Sequence, residues 1–287
     1  MENFAQPILN GVLLGGLYAA VAIGMSMIFG IVKMVNLAHG DMMILASYIS
    51  LVLISALNIA PLWTIFIVVP AMFFIGFFAQ NWLLNRVLGE DPNPPLLVAF
   101  GLSIILQNFL LLVFTPDARA LMTSLSTMTI PVSDYLNIPV LYLIDFIIGL
   151  GVIYALHQFF SKTYLGRAIR AASDDDTAAK LMGANTKNIY AYAMGIAMMT
   201  AGIAGVLVGM TFTFYPHTGA QYLITAFGVC IIGGLGSIKG TFIGGLILAV
   251  AQLLGAQFFG PGYQLLIGYL VLLIVLAIRP QGIFGTV

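Results

Sequence analysis

The sequence predicts an all-α polytopic membrane protein, and three observations carry that assignment. Hydrophobic residues make up 61% of the chain and charged ones only 7%, against roughly 25% charged in a soluble domain. Mean hydropathy is +1.07. The apolar residues fall in runs of about twenty, the length that carries a helix across a hydrocarbon core of about 30 Å. With so little polar mass, the working surfaces lie inside the membrane or in its loops. The single cysteine, Cys230, rules out an internal disulfide and any multi-cysteine metal site. The opening MENFAQPILN has no basic n-region, so no cleavable signal peptide is expected.

Taken in order, the apolar runs predict spans at about 8–32, 37–57, 61–84, 95–115, 137–160, 190–214, 221–235, 240–258 and 263–278. The whole chain, 1–287, reads as one transmembrane domain with a polar excursion at about 161–189. If that excursion is cytoplasmic, alternation places Lys33, Arg86, Lys239 and Arg279 on the same side. Nine of the ten basic residues are then inside, and only Arg119 is outside, as the positive-inside bias asks. The run 221–235 is short for a straight crossing. Were it a re-entrant dip, Lys239 and Arg279 would move outside and the inner count would fall to seven. Nine crossings with a short or broken seventh are therefore favoured, with eight as the alternative. The loop 116–137 carries Asp117, Arg119 and Asp134 but no motif. Trp63, Trp82, Tyr135 and Tyr142 stand near span ends, as an interfacial aromatic belt requires.

The polar excursion reads TYLGRAIRAASDDDTAAKLMGANTK from Thr163 to Lys187 and holds or adjoins five basic residues: Lys162, Arg167, Arg170, Lys180 and Lys187. It specifies a short helix. Ser173 stands at the N-cap position, and Asp176 three residues later completes a capping box. Asp174, Asp175 and Asp176 then complement the positive end of the helix dipole, and Lys180 the negative end. Gly183 sits where helices stop. Ala178, Leu181 and Met182 share one face. A capped helix with an exposed apolar stripe, beneath a membrane domain, is expected to dock in a partner's groove.

The second interruption is Lys33-Met-Val-Asn-Leu-Ala-His-Gly-Asp41. Two readings stand. Asn36, His39 and Asp41 line a permeation path or its gate, since polar groups at membrane depth are costly unless they face protein or water. Alternatively this is a cytoplasmic turn, with Asn36 capping and Asp41 beginning the second span. The third interruption, Gly233-Gly-Leu-Gly-Ser-Ile-Lys-Gly240, has the order Lys-Gly-Thr where a phosphate-binding loop needs Gly-Lys followed by Ser or Thr. Gly233, Gly234 and Gly236 instead suit a broken or closely packed helix beside the path. Gly11-x-x-x-Gly15, Gly205-x-x-x-Gly209 and Gly240-x-x-x-Gly244 fit small-residue helix packing. Asp145 is either a functional intramembrane carboxylate or an interfacial one bonded to water. No nucleophile elbow or metalloprotease pattern occurs, and nothing points to nucleic acid.

Four stretches together resemble the permease subunits of bacterial branched-chain amino acid ABC importers, and among them the LivH type. They are NGVLLGGLYAAVAIGMSMIFGIVKMVNLAHGD, LGRAIRAASDDDTAAKLMGANTKNI, GGLGSIKGTFIGGLILA and RPQGIFG. The sequence departs from the family at Lys239, where proline is common. The resemblance implies a multi-pass protein of the bacterial inner membrane, surrounded by membrane lipid. It also implies a second, LivM-type permease, two cytoplasmic ATPases and a periplasmic or surface-tethered binding protein. The chain itself would bind no cofactor and have no ATPase site; ATP would be used by the partners. The helix Asp174–Met182 becomes the coupling helix, with Leu181 and Met182 in an ATPase groove and Arg167 and Arg170 bonding acidic or carbonyl groups there. Transport would proceed by alternating access. Permeases for urea and short amides share the resemblance, and an ion-coupled secondary transporter is the rival from another class, which needs intramembrane acids or broken helices.

Overall fold

The computed structural model describes residues 2–89, 91, 93–133 and 136–285, with side chains from Phe4 onward. Asp134 and Tyr135 lie outside the described residues. The elements in order are α1 (Glu2–Val32), α2 (His39–Leu57), α3 (Pro61–Trp82), α4 (Asn93–Phe114), β1 (Thr129–Ser133), β2 (Leu136–Pro139), α5 (Val140–Lys162), α6 (Tyr164–Asp174), α7 (Asp176–Leu181), α8 (Thr186–Thr211), α9 (Gly219–Gly233), α10 (Ile238–Phe259) and α11 (Gln264–Ile278). Eight helices are long and apolar enough to cross a membrane. α9 has 15 residues, about 22 Å at 1.5 Å per residue, and is the short seventh segment expected from the sequence.

Hydrogen bonds define the two ends of the bundle. At one end Gln6 Nε2 donates to the Asn137 carbonyl at 2.6 Å, and Arg119 and Phe214 exchange backbone bonds at 2.8 Å. The start of α1, the end of α8 and the β1–β2 hairpin therefore lie together. At the other end, Ser173 Oγ donates to the Gly30 carbonyl at 2.7 Å and Asn85 Nδ2 to the Lys187 carbonyl at 2.9 Å. The tail joins this end, with Ile283 N on the Ile232 carbonyl at 3.0 Å. Among the described residues the chain passes nine times between these ends. Nine of the ten basic residues lie in the turns, helix ends and short helices at the second end, and Arg119 lies at the first. The charge segregation read from the sequence is thus a property of the folded bundle.

The core is built on α1 and α8, the two most buried spans, whereas α4 and α11 are largely exposed. α1 packs against α10, α8, α5 and α9. The glycine pairs explain how closely. A Cβ on Gly11 or Gly15 would come within 2.7 Å of the α10 backbone at Val250 or Leu246, so only glycine permits this separation. Without a hydrophobic driving force inside lipid, such backbone-to-backbone contact is a main source of helix association. Trp63 and Trp82 are exposed near the two ends of α3, where an aromatic belt would place them. The antiparallel pairing of β1 and β2, Thr129 opposite Pro139, gives structure to a loop in which the sequence showed no motif.

Candidate functional site

The polar excursion folds into two helices rather than one. Thr163 Oγ1 accepts from Gly166 N at 2.9 Å and caps α6. Gly166 allows α6 to fold back on α5, since a Cβ there would meet the Phe159 carbonyl at 2.3 Å. The two arginines serve that elbow. Arg167 Nη1 donates to the Lys162 carbonyl at 3.1 Å and Arg170 Nη2 to the Phe160 carbonyl at 2.9 Å. These carbonyls belong to the last turn of α5, which has no intrahelical donors left for them. One donor of each guanidinium is therefore spent within the chain, on carbonyls of its own rather than a partner's.

The capping box expected at Ser173 is not there. Ser173 is inside α6, and its hydroxyl bonds the carbonyl of Gly30 near the end of α1. Asp175 is the cap: its backbone is extended (φ −149°, ψ 103°), and its Oδ1 accepts from Ala178 N at 2.9 Å. Asp174 is correspondingly the last residue of α6, not part of the first turn of the next helix. The physical reason is that Asp175 can both break the chain direction and cap, whereas Ser173 finds a carbonyl on another helix. The expected helix 174–182 contracts to Asp176–Leu181.

Asp176 ties that short helix to α8. It pairs with Lys180 one turn on and accepts from Tyr190 Oη at 3.1 Å. Partial burial pushes its carboxyl up, but the hydrogen bonds from Lys180, Thr186 and Tyr190 and the Lys180 charge outweigh this and hold it below the usual carboxylate range. Gly183 ends the segment as expected, at φ +85°, with Gly183 N on the Lys180 carbonyl at 2.9 Å and Ala184 N on the Ala179 carbonyl at 3.0 Å. Leu181 and Met182 are 84% and 88% exposed. Ala178 and Met182 line a groove of about 630 Å³ between α6 and α7, together with Tyr164, Arg167 and Ala171; Leu181 lies outside that groove.

The second polar interruption is no surface turn. Residues 33–38 lead back into the bundle, and Asn36, His39 and Asp41 are 3%, 1% and 1% exposed. His39 Nε2 lies 2.9 Å from the carbonyl of Val21, so that nitrogen carries the proton. Val21 is 11 residues before the end of α1, about 16 Å along its axis. α2 therefore starts beside the middle of α1. Asn36 does bond forward, Oδ1 accepting from Ala38 N at 3.0 Å, but it does so in the protein interior. Asp41 Oδ2 accepts from Ser103 Oγ, which in turn accepts from Gln107 Nε2 at 3.3 Å. Asp41 Oδ1 has no hydrogen-bond partner among the described residues.

Against this point stands the start of α9. A Cβ on Gly40 would lie 2.0 Å from the Gly219 carbonyl, and one on Gly219 would lie 2.1 Å from Asp41 Oδ1. Two helix N-termini thus meet inside the bundle, with the Asp41 carboxyl group between them. The sequence reading missed Ser103 and Gly219. The latter had a signal, the polar run Thr211–Gly219 just before the short seventh span.

Gly233, Gly234 and Gly236 fall elsewhere. They form the α9–α10 turn at the basic end, with Gly234 at φ +104° and Gly236 at φ +82°, Gly236 packed on Gly30. The six residues grouped as path or gate therefore occupy two separate places. Asp145 is fully buried rather than interfacial, with Oδ2 accepting from Thr211 Oγ1 at 2.7 Å and Oδ1 unpartnered among the described residues. At the hairpin end a cleft of about 350 Å³ opens between α1, α9 and α11, lined in part by Tyr18, Gln221, Tyr222, Thr225 and Gln264. Its lining carries no formal charge, and Tyr18 Oη donates to Gln252 Oε1 at 2.7 Å behind it.

Known proteins resemble this chain in sequence along nearly its whole length. The family described as "Branched-chain amino acid transport system / permease component" matches residues 7–276. The high-affinity branched-chain amino acid transport system permease protein BraD of Pseudomonas aeruginosa is 33% identical over 300 residues, covering 99% of this chain and 96% of its own length. The corresponding LivH protein of Escherichia coli K12 is 34% identical over 297 residues, covering 98% and 96%. The ribose import permease protein RbsC of Haemophilus influenzae is 24% identical, covering 93% and 82%. A full-length match to the family, two relatives above 30% identity and eight membrane-length helices lead to one statement: this chain is a multi-pass membrane protein of the inner membrane and belongs to the branched-chain amino acid permease family.

Proposed function

We propose that the chain is one permease half of an ATP-driven importer for branched-chain or related hydrophobic amino acids, moved by ATPases that are separate polypeptides. The carrying observation is α7. Leu181 and Met182 stand exposed on a helix whose Asp176 is bonded to Tyr190 of α8, and the preceding α6 is bonded through Ser173 to α1. A push on α7 therefore reaches the two core helices directly. Arg167 and Arg170 brace the elbow and have donors left for an acidic or carbonyl partner. Burying one exposed leucine in a partner groove contributes about 1.5–3 kcal/mol.

The remaining parts take consistent roles. The basic end faces the cytoplasm, by the positive-inside bias. The uncharged cleft at the hairpin end receives substrate from a binding protein, a zwitterion that needs polar groups without a strong fixed charge. The junction of Asn36, His39 and Asp41 with Gly219 is the gate, and the glycine turn at 233–236 lets the basic end change shape around it. A second, LivM-type permease completes the pathway. The nearness of the ribose permease in sequence supports transport more firmly than it supports one substrate.

The test is reconstitution in sealed vesicles. Labelled leucine uptake is expected only when the second permease, the ATPases, the binding protein and ATP are all present. Uptake by this chain alone, insensitive to ATP and driven by an ion gradient, would overturn the reading in favour of a secondary transporter. Uptake of urea or short amides in place of leucine would keep the mechanism and replace the substrate.

A further inference from the structure

A cavity of about 400 Å³ at the basic end has no part in the mechanism above beyond sharing Arg170, Ser173, Gly30 and Gly236. It lies where the ends of α1 and α5 meet α6 and the start of α10. Its polar wall is Arg170, Lys239, His157, Ser161, Ser173 and Ser237. No acidic residue lines it, and the start of α10 adds the positive end of a 22-residue helix. The side chains of Lys239, His157 and Ser161 make no hydrogen bond or ion pair among the described residues, and Arg170 uses one donor on Phe160. Met27, Ile31, Phe160 and Ile238 form the apolar remainder.

We propose that this cavity binds the phosphate group of an anionic phospholipid. A concave site with cations, hydroxyls and no acid is built for a phosphate or phosphate ester. The continuation of the wall selects the lipid. On α5, residues 147, 150, 154, 157 and 161 share one face at helical spacing. Ile147, Leu150 and Tyr154 are exposed and apolar, and His157 and Ser161 are exposed and line the cavity. An acyl chain on that stripe puts its headgroup at Lys239 and Arg170, in the way basic pockets at the cytoplasmic ends of helices hold anionic lipids. A free phosphate would have no use for the stripe. Lys239 supplies a cation whose side chain has no partner among the described residues. The bound lipid would brace α6 against α1 and α10, next to the Ser173–Gly30 bond.

The experiment uses the full chain, purified in mild detergent with the subunits that accompany it. Retained phosphatidylglycerol and phosphatidylcholine are counted by native mass spectrometry. Phosphatidylglycerol is expected to be retained selectively. Lys239→Gln should weaken that retention roughly fivefold, the effect of one cation near an anionic surface, and Lys239→Glu more. In delipidated samples thermal unfolding should be unchanged, because Lys239 is exposed and its side chain has no partner among the described residues. Tyr154→Asp should lower lipid retention while leaving any binding of inorganic phosphate intact. Wild-type retention in both Lys239 variants would overturn the proposal. Displacement of the lipid by inorganic phosphate, with Tyr154→Asp without effect, would assign the cavity to free phosphate instead. Protection of Lys239 from amine labelling by added ATPase subunits in lipid-free samples would make it a protein contact and equally overturn it.

Discussion

The α6–α7 excursion and the α2–α9 junction are both polar interruptions of an apolar chain, yet they are held by opposite means. The excursion is largely exposed and shaped by neighbours in sequence: Thr163 caps α6, Asp175 caps α7, Lys180 pairs with Asp176 and Gly183 stops the segment, while Ser173 on Gly30 and Asp176 on Tyr190 tie it to the core helices. Such contacts are individually worth a few tenths to about 1 kcal/mol. The junction is buried and fixed by partners far away in the chain, Val21 to His39, Ser103 to Asp41 and Gly219 to Gly40. Under the proposed function the excursion is a lever, which has to be detachable and solvated. The junction is then a gate, which has to exclude water, and close backbone packing supplies that rigidity. The two regions therefore differ in how they respond to substitution.

The junction should give the largest effect. Gly40→Ala places a methyl group 2.0 Å from the Gly219 carbonyl, and Gly219→Ala places one 2.1 Å from Asp41 Oδ1 and 2.8 Å from Asp41 Cα. Neither neighbour is the flexible tip of a long side chain, since both lie at helix starts. Overpacking of this kind costs about 1–3 kcal/mol, a fall of roughly 2–12 °C in melting temperature at about 2–4 °C per kcal/mol. Gly262→Ala, with nothing within 4 Å of the added carbon, is the matched control. Thermal melting in detergent compares them. Equal melting of Gly40→Ala and the control would mean that the two N-termini do not meet tightly.

This difference also sets what was legible in the sequence. Span positions, the short seventh segment and the nine-to-one distribution of basic residues follow from composition along the chain, and the bundle reproduces them. The short helix after the aspartate run was legible because caps and charges act within a turn. Its cap was misassigned from Ser173 to Asp175 for a physical reason: Ser173 is drawn into α6 by a carbonyl 143 residues away in sequence. The burial of Asn36, His39 and Asp41 was open between two readings, because a turn that re-enters a bundle and one that leaves it share the same residues. Only the long-range contacts of Val21 and Gly219 separate them. Asp145 has the same history, its place decided by Thr211 on another helix.

At the proposed lever the expected effect is on coupling rather than on stability. Leu181→Asp changes a side chain that is 84% exposed, so the isolated chain should melt within about 0.5 kcal/mol of the parent. If the leucine docks in an ATPase groove, its loss costs about 1.5–3 kcal/mol of association, roughly 10- to 150-fold in affinity. ATP hydrolysis would then proceed without matching uptake. A variant with normal coupled uptake would assign the docking role to some other surface.

A smaller effect separates the two candidate caps. Asp175→Ala removes the acceptor of Ala178 N and should cost α7 about 1 kcal/mol, seen as roughly fivefold faster amide exchange across Asp176–Leu181. Ser173→Ala removes the bond to Gly30 instead. It should leave those amides unchanged and speed exchange in α6 near its contact with α1. The reverse pattern would restore Ser173 as the cap and detach α6 from the core.

The smallest effect is the pH response of Asp176, and its sign is fixed by the depressed carboxyl. An unfolded aspartate titrates near 4, and the folded one lies lower. The stabilisation is therefore complete above about pH 4 and is lost as pH falls through the lower, folded value. Amide protection of α7 should be flat from neutral pH down to about 5 and decline only below 4, after correction for intrinsic exchange. The amplitude should be modest, because the Lys180 pair is largely solvated and screened by salt. Asp176→Asn should abolish the decline and slacken the tie to Tyr190 at every pH. A loss of protection centred near pH 6 would instead implicate a different group, and would break the assignment of Asp176 as the link between α7 and α8.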